Sequence, residues 1–303
     1  RYLKLDCSND PLTDDLEIQG NLNLNVAGAE LQIEGDHALS LEDGSGGRTN
    51  VVIGSGALTA TRTANFIGGY QAAYGTTALQ CVIIGYQAGK GADQNDPAPT
   101  PDGAVIIGYY AGIQADDLTS AVAIGYAAAS DDGTQNPDAV DAVMIGNYAA
   151  RGAAIVTGGV AIGASAHFQT SGISNTAVGK QALKGCGSAS GNEVEFNVAI
   201  GNGACEDLTV NSTSKWNVAV GNNAGNGGTD LSQDVFLGYG AGYEANSVAC
   251  VYIGYLAGYQ ASRNNTLIIE NSNDISTPLI YGEFDNDLVR IHGTLEMQEA
   301  GTA

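Results

Sequence analysis

Twelve copies of one short signature run in phase through this chain, and that periodicity constrains its fold more than any other property. The unit reads apolar-x-(Ile/Val/Leu)-Gly-x-x-Ala, as in VVIGSGA from Val51, VAIGYAA from Val122 and VYIGYLA from Val251. Its anchor glycines are Gly54, Gly69, Gly85, Gly108, Gly125, Gly146, Gly163, Gly179, Gly201, Gly221, Gly238 and Gly254. An alanine follows three residues after each: Ala57, Ala72, Ala88, Ala111, Ala128, Ala149, Ala166, Ala182, Ala204, Ala224, Ala241 and Ala257. The glycines are 15 to 23 residues apart. The short spacings define a minimal coil that is too short for two helices and long enough for two short strands and two turns.

The residues entering each glycine read as a strand. Ile, Val or Leu precedes the glycine except at Gly68, and Val stands three before it except at Phe66 and Thr176. These two positions share one face by the twofold period of a strand, and β-branched residues favour strand over helix. The position between them is apolar in every repeat, from Val52 and Ile67 through Ala199 and Ala219 to Phe236 and Tyr252. A strand apolar on both faces is covered on both faces. The coil's own second strand covers one, and the expected cover for the other is a neighbouring chain. The small alanines at the middle repeats are expected to face an oligomer axis. Small residues seven after the glycine (Thr61, Thr76, Ala92, Ala115, Ala153, Ala245, Ala261) predict a second, shorter strand packed inside.

The sequence therefore predicts an all-β chain, a parallel β-solenoid of about twelve coils spanning residues 49–263, assembled as a homotrimer. Residues 1–48 are expected to form an N-terminal β connector or cap. Residues 264–303 are expected to form a C-terminal β segment leading to a further domain. Such flanks close the open ends of the stack against edge-to-edge pairing. The extra length of the long repeats falls after the second strand, in the inserts Asp93–Gly103, Gly133–Asp141, Gly187–Phe196 and Thr209–Trp216. Loops carried on one line of a rigid scaffold are the usual place for binding. The candidate contact residues are Asp93, Asp96, Asp102, Asp138, Asp141, Glu193, Glu195 and Trp216.

Composition narrows the partners. A net charge of −22 with only 11 Lys and Arg opposes binding to nucleic-acid phosphates or to an anionic membrane surface. No apolar run approaches the roughly 18 residues of a membrane span. Five scattered cysteines with no C-x-x-C pair make no disulfide framework and read as small buried residues. There is no signal peptide, and the opening Arg1 reads as a trimmed or fragmentary start. The three histidines, His37, His167 and His292, have no metal-ligand spacing, and no nucleophile-elbow, P-loop or dinucleotide fingerprint is present. The pairs Asp116-Asp117 and Asp131-Asp132 and the run Asp285–Asp287 read as solvated turn carboxylates. The expectation is no enzyme, no cofactor and no metal site. Tyrosine directly follows six anchor glycines (Tyr70, Tyr86, Tyr109, Tyr126, Tyr239, Tyr255). Such a row reads either as a ladder between subunits or as a platform for sugars.

At NTAVGKQA (Asn175–Ala182), NVAIGNGA (Asn197–Ala204) and NVAVGNNA (Asn217–Ala224) the chain resembles the head repeats of trimeric autotransporter adhesins. That resemblance implies a left-handed parallel β-roll with three chains around a threefold axis. The tyrosine-rich GYQAG variants and the flanks YLKLDCSNDPLTDDLEIQGNLNL and NTLIIENSNDISTPLIYGEFDNDLVRIHGTLEM resemble tail-fibre and related appendage proteins of tailed bacteriophages more closely. This second resemblance implies a virion tail fibre. Its partners would be itself, other virion or fibre proteins and a host cell-surface glycan or protein. Two alternatives stay open: the head of a bacterial surface adhesin, and a polysaccharide-degrading tailspike with paired carboxylates such as Glu193 and Glu195 or Glu206 and Asp207.

Overall fold

The chain is all-β, with no helix among the described residues, and forms a parallel β-solenoid of about ten turns. The computed structural model describes residues 51–54, 57, 65–76, 78–91, 101–115, 117–131, 138–153, 156–170, 172–186, 194–208 and 214–296, and the backbone of strands at 30–33, 36–44 and 48–50. Each turn contributes one three-residue strand ahead of its anchor glycine, such as Val82–Ile84, Val105–Ile107 or Val198–Ile200. These strands stack in parallel and in register, so Ala177 lies beside Ala199 and Ala199 beside Ala219. The stack is flanked by antiparallel strands at both ends. Glu30–Ile33, Asp36–Gly44 and Arg48–Ile53 pair antiparallel at the start. Thr266–Ile269 continues the parallel stack on Val251–Ile253 and then carries the hairpin Ile280–Glu283 and Leu288–Ile291.

The expected second strand is present only in part. Among the described residues it forms a sheet in three successive turns, Thr229–Ser232, Asn246–Val248 and Ser262–Asn264. Elsewhere that side is held by isolated bridges, Leu79 to Asp102, Asp117 to Asp138 and Glu195 to Lys215. These bridges lie where long inserts enter or leave, and an insert interrupts the regular pairing on its side of the coil. The small residues seven after the glycine do pack inside: Thr76, Ala115, Ala153, Ala245 and Ala261 are buried.

The two faces of the anchor strand are assigned opposite to the axial expectation for alanine. The middle residue points into the coil's own core, where Ala199 and Ala219 are 0 % exposed. The residues on either side, such as Val198 and Ile200, point outward. In several turns the size of the middle residue is matched by a second inward position, four residues after the glycine. Ala161 is matched by His167 and Ala177 by Leu183, while Phe236 is matched by Gly242 and Tyr252 by Gly258. A Cβ on Gly242 would meet the Phe236 ring at 2.5 Å, and one on Gly258 would meet Tyr252 at 2.2 Å. Where both positions are small, as at Ala219 and Gly225, the next turn fills the space: a Cβ on Gly225 would meet the Phe236 ring at 2.9 Å, as close-packed interiors demand.

The turn after each strand is tightly determined. The anchor glycines hold φ between +122° and +144°. A Cβ on Gly201 would sit 2.2 Å from the Gly221 carbonyl oxygen of the next turn, so only glycine fits. Two and four residues later the backbone enters the left-handed region again even at non-glycine residues, as at Gln181 (φ 60°) and Leu183 (φ 51°). That conformation costs about 1–2 kcal/mol per residue. It is offset because the turn is bonded in both directions. Gln181 N–H donates to Ala164 O of the preceding turn at 2.9 Å, and Leu183 N–H to Ala204 O of the following turn at 2.9 Å.

A buried side-chain ladder runs beside the sheet four residues before the glycine. The carboxamide oxygens of Asn175, Asn197 and Asn217 accept the backbone N–H of Asn197, Asn217 and Asp234 at 3.0, 2.9 and 3.0 Å. Asp234 Oδ1 then accepts Cys250 N–H at 2.8 Å. Asn65 does the same for Cys81 N–H at 2.9 Å. Coils with Ala104, Ala121 or Ala142 at this position lack the rung.

Candidate functional site

The candidate contact surfaces are the outer faces of the described coils. The outward positions of the anchor strands form two adjacent, largely apolar rows, Val on one except at Phe66 and Thr176 and mainly Ile on the other. Neither row contains a charged residue, and both stay partly open to solvent in the single chain; Ile200, for example, is 40 % exposed. The parallel sheet therefore has one face filled by its own coil core and one face left uncovered.

The tyrosine that follows the glycine stands at the edge of this face. Tyr70, Tyr86, Tyr109 and Tyr126 stack in succession with ring centroids 5.3, 5.0 and 5.4 Å apart. The line continues edge-on to Tyr148 and Phe168. A second stack pairs Tyr239 with Tyr255 at 5.4 Å. The spacing follows from the ~4.7–4.9 Å rise between parallel strands. Ring faces inside the stack are occupied by neighbouring rings, so only edges and hydroxyls point outward. The hydroxyl bond to Tyr110 pushes Tyr109 up to about 12, and the bond to Tyr148 raises Tyr126. The tyrosines from Tyr70 to Tyr126 thus form one ladder within the chain, and Tyr239 with Tyr255 a separate one.

The candidate loop residues separate. Asp93, Asp96 and Glu193 lie outside the described residues. Asp102 is exposed in its bridge to Leu79, Asp138 is half-buried in its bridge to Asp117, and Asp141 is exposed on a left-handed turn. Glu195 and Trp216 come together at the feet of two successive inserts. Trp216 N–H donates to Glu195 O at 3.3 Å, and Lys215 Nζ bonds Glu195 Oε2 at 2.7 Å. The indole of Trp216 is 54 % exposed. Glu206, the other candidate acid, is paired to Lys184 at 3.1 Å. Among the described residues no group of three or more His, Cys, Asp or Glu side chains gathers.

The chain matches no family model, no curated protein and no solved structure. No helix among the described residues is long and apolar enough to cross a membrane.

Two buried titratable groups escaped the sequence reading. His167 is fully enclosed, and burial pulls it down to about 4. Asp234 is the one carboxylate in the asparagine ladder, and burial pushes it up to about 7. The signal was present: each breaks its repeat column with a titratable residue where other coils carry Ala, Gly, Leu, Asn or Cys. Cys81, Cys186, Cys205 and Cys250 are buried and free. Desolvation raises their thiols above the usual value, which leaves no reactive thiolate among them.

Proposed function

We propose that the chain is a structural, host-attachment module of a phage tail fibre. It is a left-handed roll of twelve coils, three copies of which pack side by side as a rigid rod that displays side loops to a receptor. The observation that carries this reading is the uncovered apolar sheet face. Solvating a regular double row of Val and Ile along an entire solenoid forfeits ~25 cal/mol per Å² of apolar area, and contiguous apolar patches of that extent mark interaction sites. A second copy is the natural cover because the rows carry no charge, so chains of net charge −22 meet where repulsion is least. As such a module the chain needs no catalytic role and no cofactor.

Receptor contact belongs, in this reading, to the four inserts, with Glu195, Lys215 and Trp216 as the ordered foot of two of them. The head of a bacterial adhesin is the second reading, favoured by the asparagine rungs at Asn175, Asn197 and Asn217, which stand where that family's repeats carry asparagine. Sedimentation should give a trimer. Trimming each insert to the minimal coil length should preserve the trimer while at least one trimmed variant loses binding to host cells. Unimpaired binding by all four would remove the attachment role and leave the rod. In the intact gene, a membrane β-barrel segment favours the adhesin, and virion-anchoring segments favour the fibre.

A further inference from the structure

We infer that the C-terminal hairpin is part of the subunit interface, its outer face packing against the same hairpin of further copies of this chain. This rests on the oligomeric reading above and adds a surface that the repeat pattern does not contain.

The register carries the argument. Leu267 and Ile269 pair with Val251 and Ile253, so they extend the outward rows beyond the last repeat. Across the antiparallel step Ile280 lies opposite Ile269 and Gly282 opposite Leu267. Across the hairpin Ile291 lies opposite Ile280 and Val289 opposite Gly282. Residues directly opposite in a ladder share a face, so Ile280, Val289 and Ile291 continue the outward apolar stripe. Gly282 leaves room on that face for Leu267, whose Cβ would be 3.1 Å from an added Cβ.

The other face of the same hairpin is built for water. There Ile268 ends the coil core, Tyr281 lies on it, and the guanidinium groups of Arg263 and Arg290 stand over the Tyr281 ring at 5.4 and 5.8 Å. Tyr281 Oη and Glu283 Oε1 are 3.1 Å apart. A hairpin serving only to close the solenoid needs its polar side outward and its apolar side against the coil. Here the inward side carries Tyr281 and Arg290, and the apolar side faces away from the chain, with Val289 at 64 % exposure. Leu279 and Leu295 flank it, also exposed.

Area and charge favour a second copy as the occupant. The rungs from Val51–Ile53 to Leu288–Ile291 number fifteen. At ~4.8 Å per rung and ~10 Å of strand the stripe covers roughly 700 Å², near the ~800 Å² per partner of a standard interface. The hairpin extends the uncharged stripe without a break, while Asp285 and Asp287 stay at its turn. Like-charged copies can therefore meet along its whole length.

The test uses the whole chain, with hydroxyl-radical labelling of the segment 288–295 and the variants Val289→Asp and Ile291→Asp. In a lone chain both positions are open, so the segment labels fully and aspartate changes nothing. Coverage by further copies predicts labelling several-fold below that of the same segment in unfolded chain, and variants with a lower thermal midpoint and a larger monomer fraction. A parent that sediments as an oligomer, labels fully here and tolerates both aspartates overturns the hairpin contact and leaves the oligomer standing. A parent that sediments as a folded monomer overturns both.

Discussion

His167 and Asp234 titrate in opposite senses, and their pairing hides a pH dependence. Asp234 keeps its proton in the folded chain up to about pH 7, against an ordinary value of 3.8. Its contribution is fully present below the ordinary value and lost as pH rises through about 7. His167 stays neutral down to about 4, against an ordinary value of 6.5. Its contribution is present above 6.5 and lost as pH falls through about 4. Between those limits folding takes up one proton at Asp234 and releases one at His167, so the two slopes, each about 1.4 kcal/mol per pH unit, cancel. His167→Leu is expected to fold, because Leu183 occupies the same site in the next turn opposite an equally small Ala177. Relative to the parent, its thermal midpoint should rise as pH falls from about 7 to about 4. Asp234→Asn should show the opposite trend over the same window. Parallel melting curves for both variants at several pH values check the pair of signs. The middle alanines belong to the same scale: Ala199→Leu overpacks the coil's own core, at about 1–3 kcal/mol. It should lower the melting midpoint of the chain even where assembly is unaffected.

One turn of the solenoid is the repeating element, and its glycine and its ladder rung are separately testable. Gly201→Ala places a methyl against the Gly221 carbonyl at 2.2 Å with φ at +142°. Backbone strain of this kind costs about 1–3 kcal/mol before the clash is counted, so the thermal midpoint should fall sharply. Asn197→Ala strips the acceptor from Asn217 N–H and the donor from Ser214 O, both at 2.9 Å. Leaving buried groups unpaired costs about 1–3 kcal/mol, measurable by denaturant titration. Much of this element was legible. The glycine column, the strand before it and the strand register all follow from a repeat that keeps phase. The direction of the middle residue was not, because alanine alone cannot say whether it fills a core or an axis. The answer lay in the covariation of Ala161 with His167 and of Phe236 with Gly242, which becomes visible only when two positions are read together. The left-handed residues at Gln181 and Leu183 were hidden for another reason: inter-turn hydrogen bonds, not residue type, hold them there.

For the whole molecule, the stack predicts an elongated particle. About ten turns at ~4.7–4.9 Å each give a rod on the order of 50 Å before the flanks, and small-angle scattering checks that length. Aspartate at an outward site such as Ile200 should leave the chain's own fold intact while it disrupts assembly, which sedimentation reads directly. The candidate loops were legible only as lengths, since an insert has no periodicity from which to place Asp93, Asp96 or Glu193. Trp216 and Glu195 found each other because two successive inserts share a foot. The hydrogen bonds between turns, such as Gly201 N–H to Val178 O and Gly221 N–H to Ile200 O at 2.8 Å, run along the long axis. A pull between the two ends loads those bonds in series, so a tethered chain yields one turn at a time. Each released turn of about 16 residues pays out some 50 Å of slack at ~3.3–3.6 Å per residue, which makes the solenoid a shock absorber with a built-in step size.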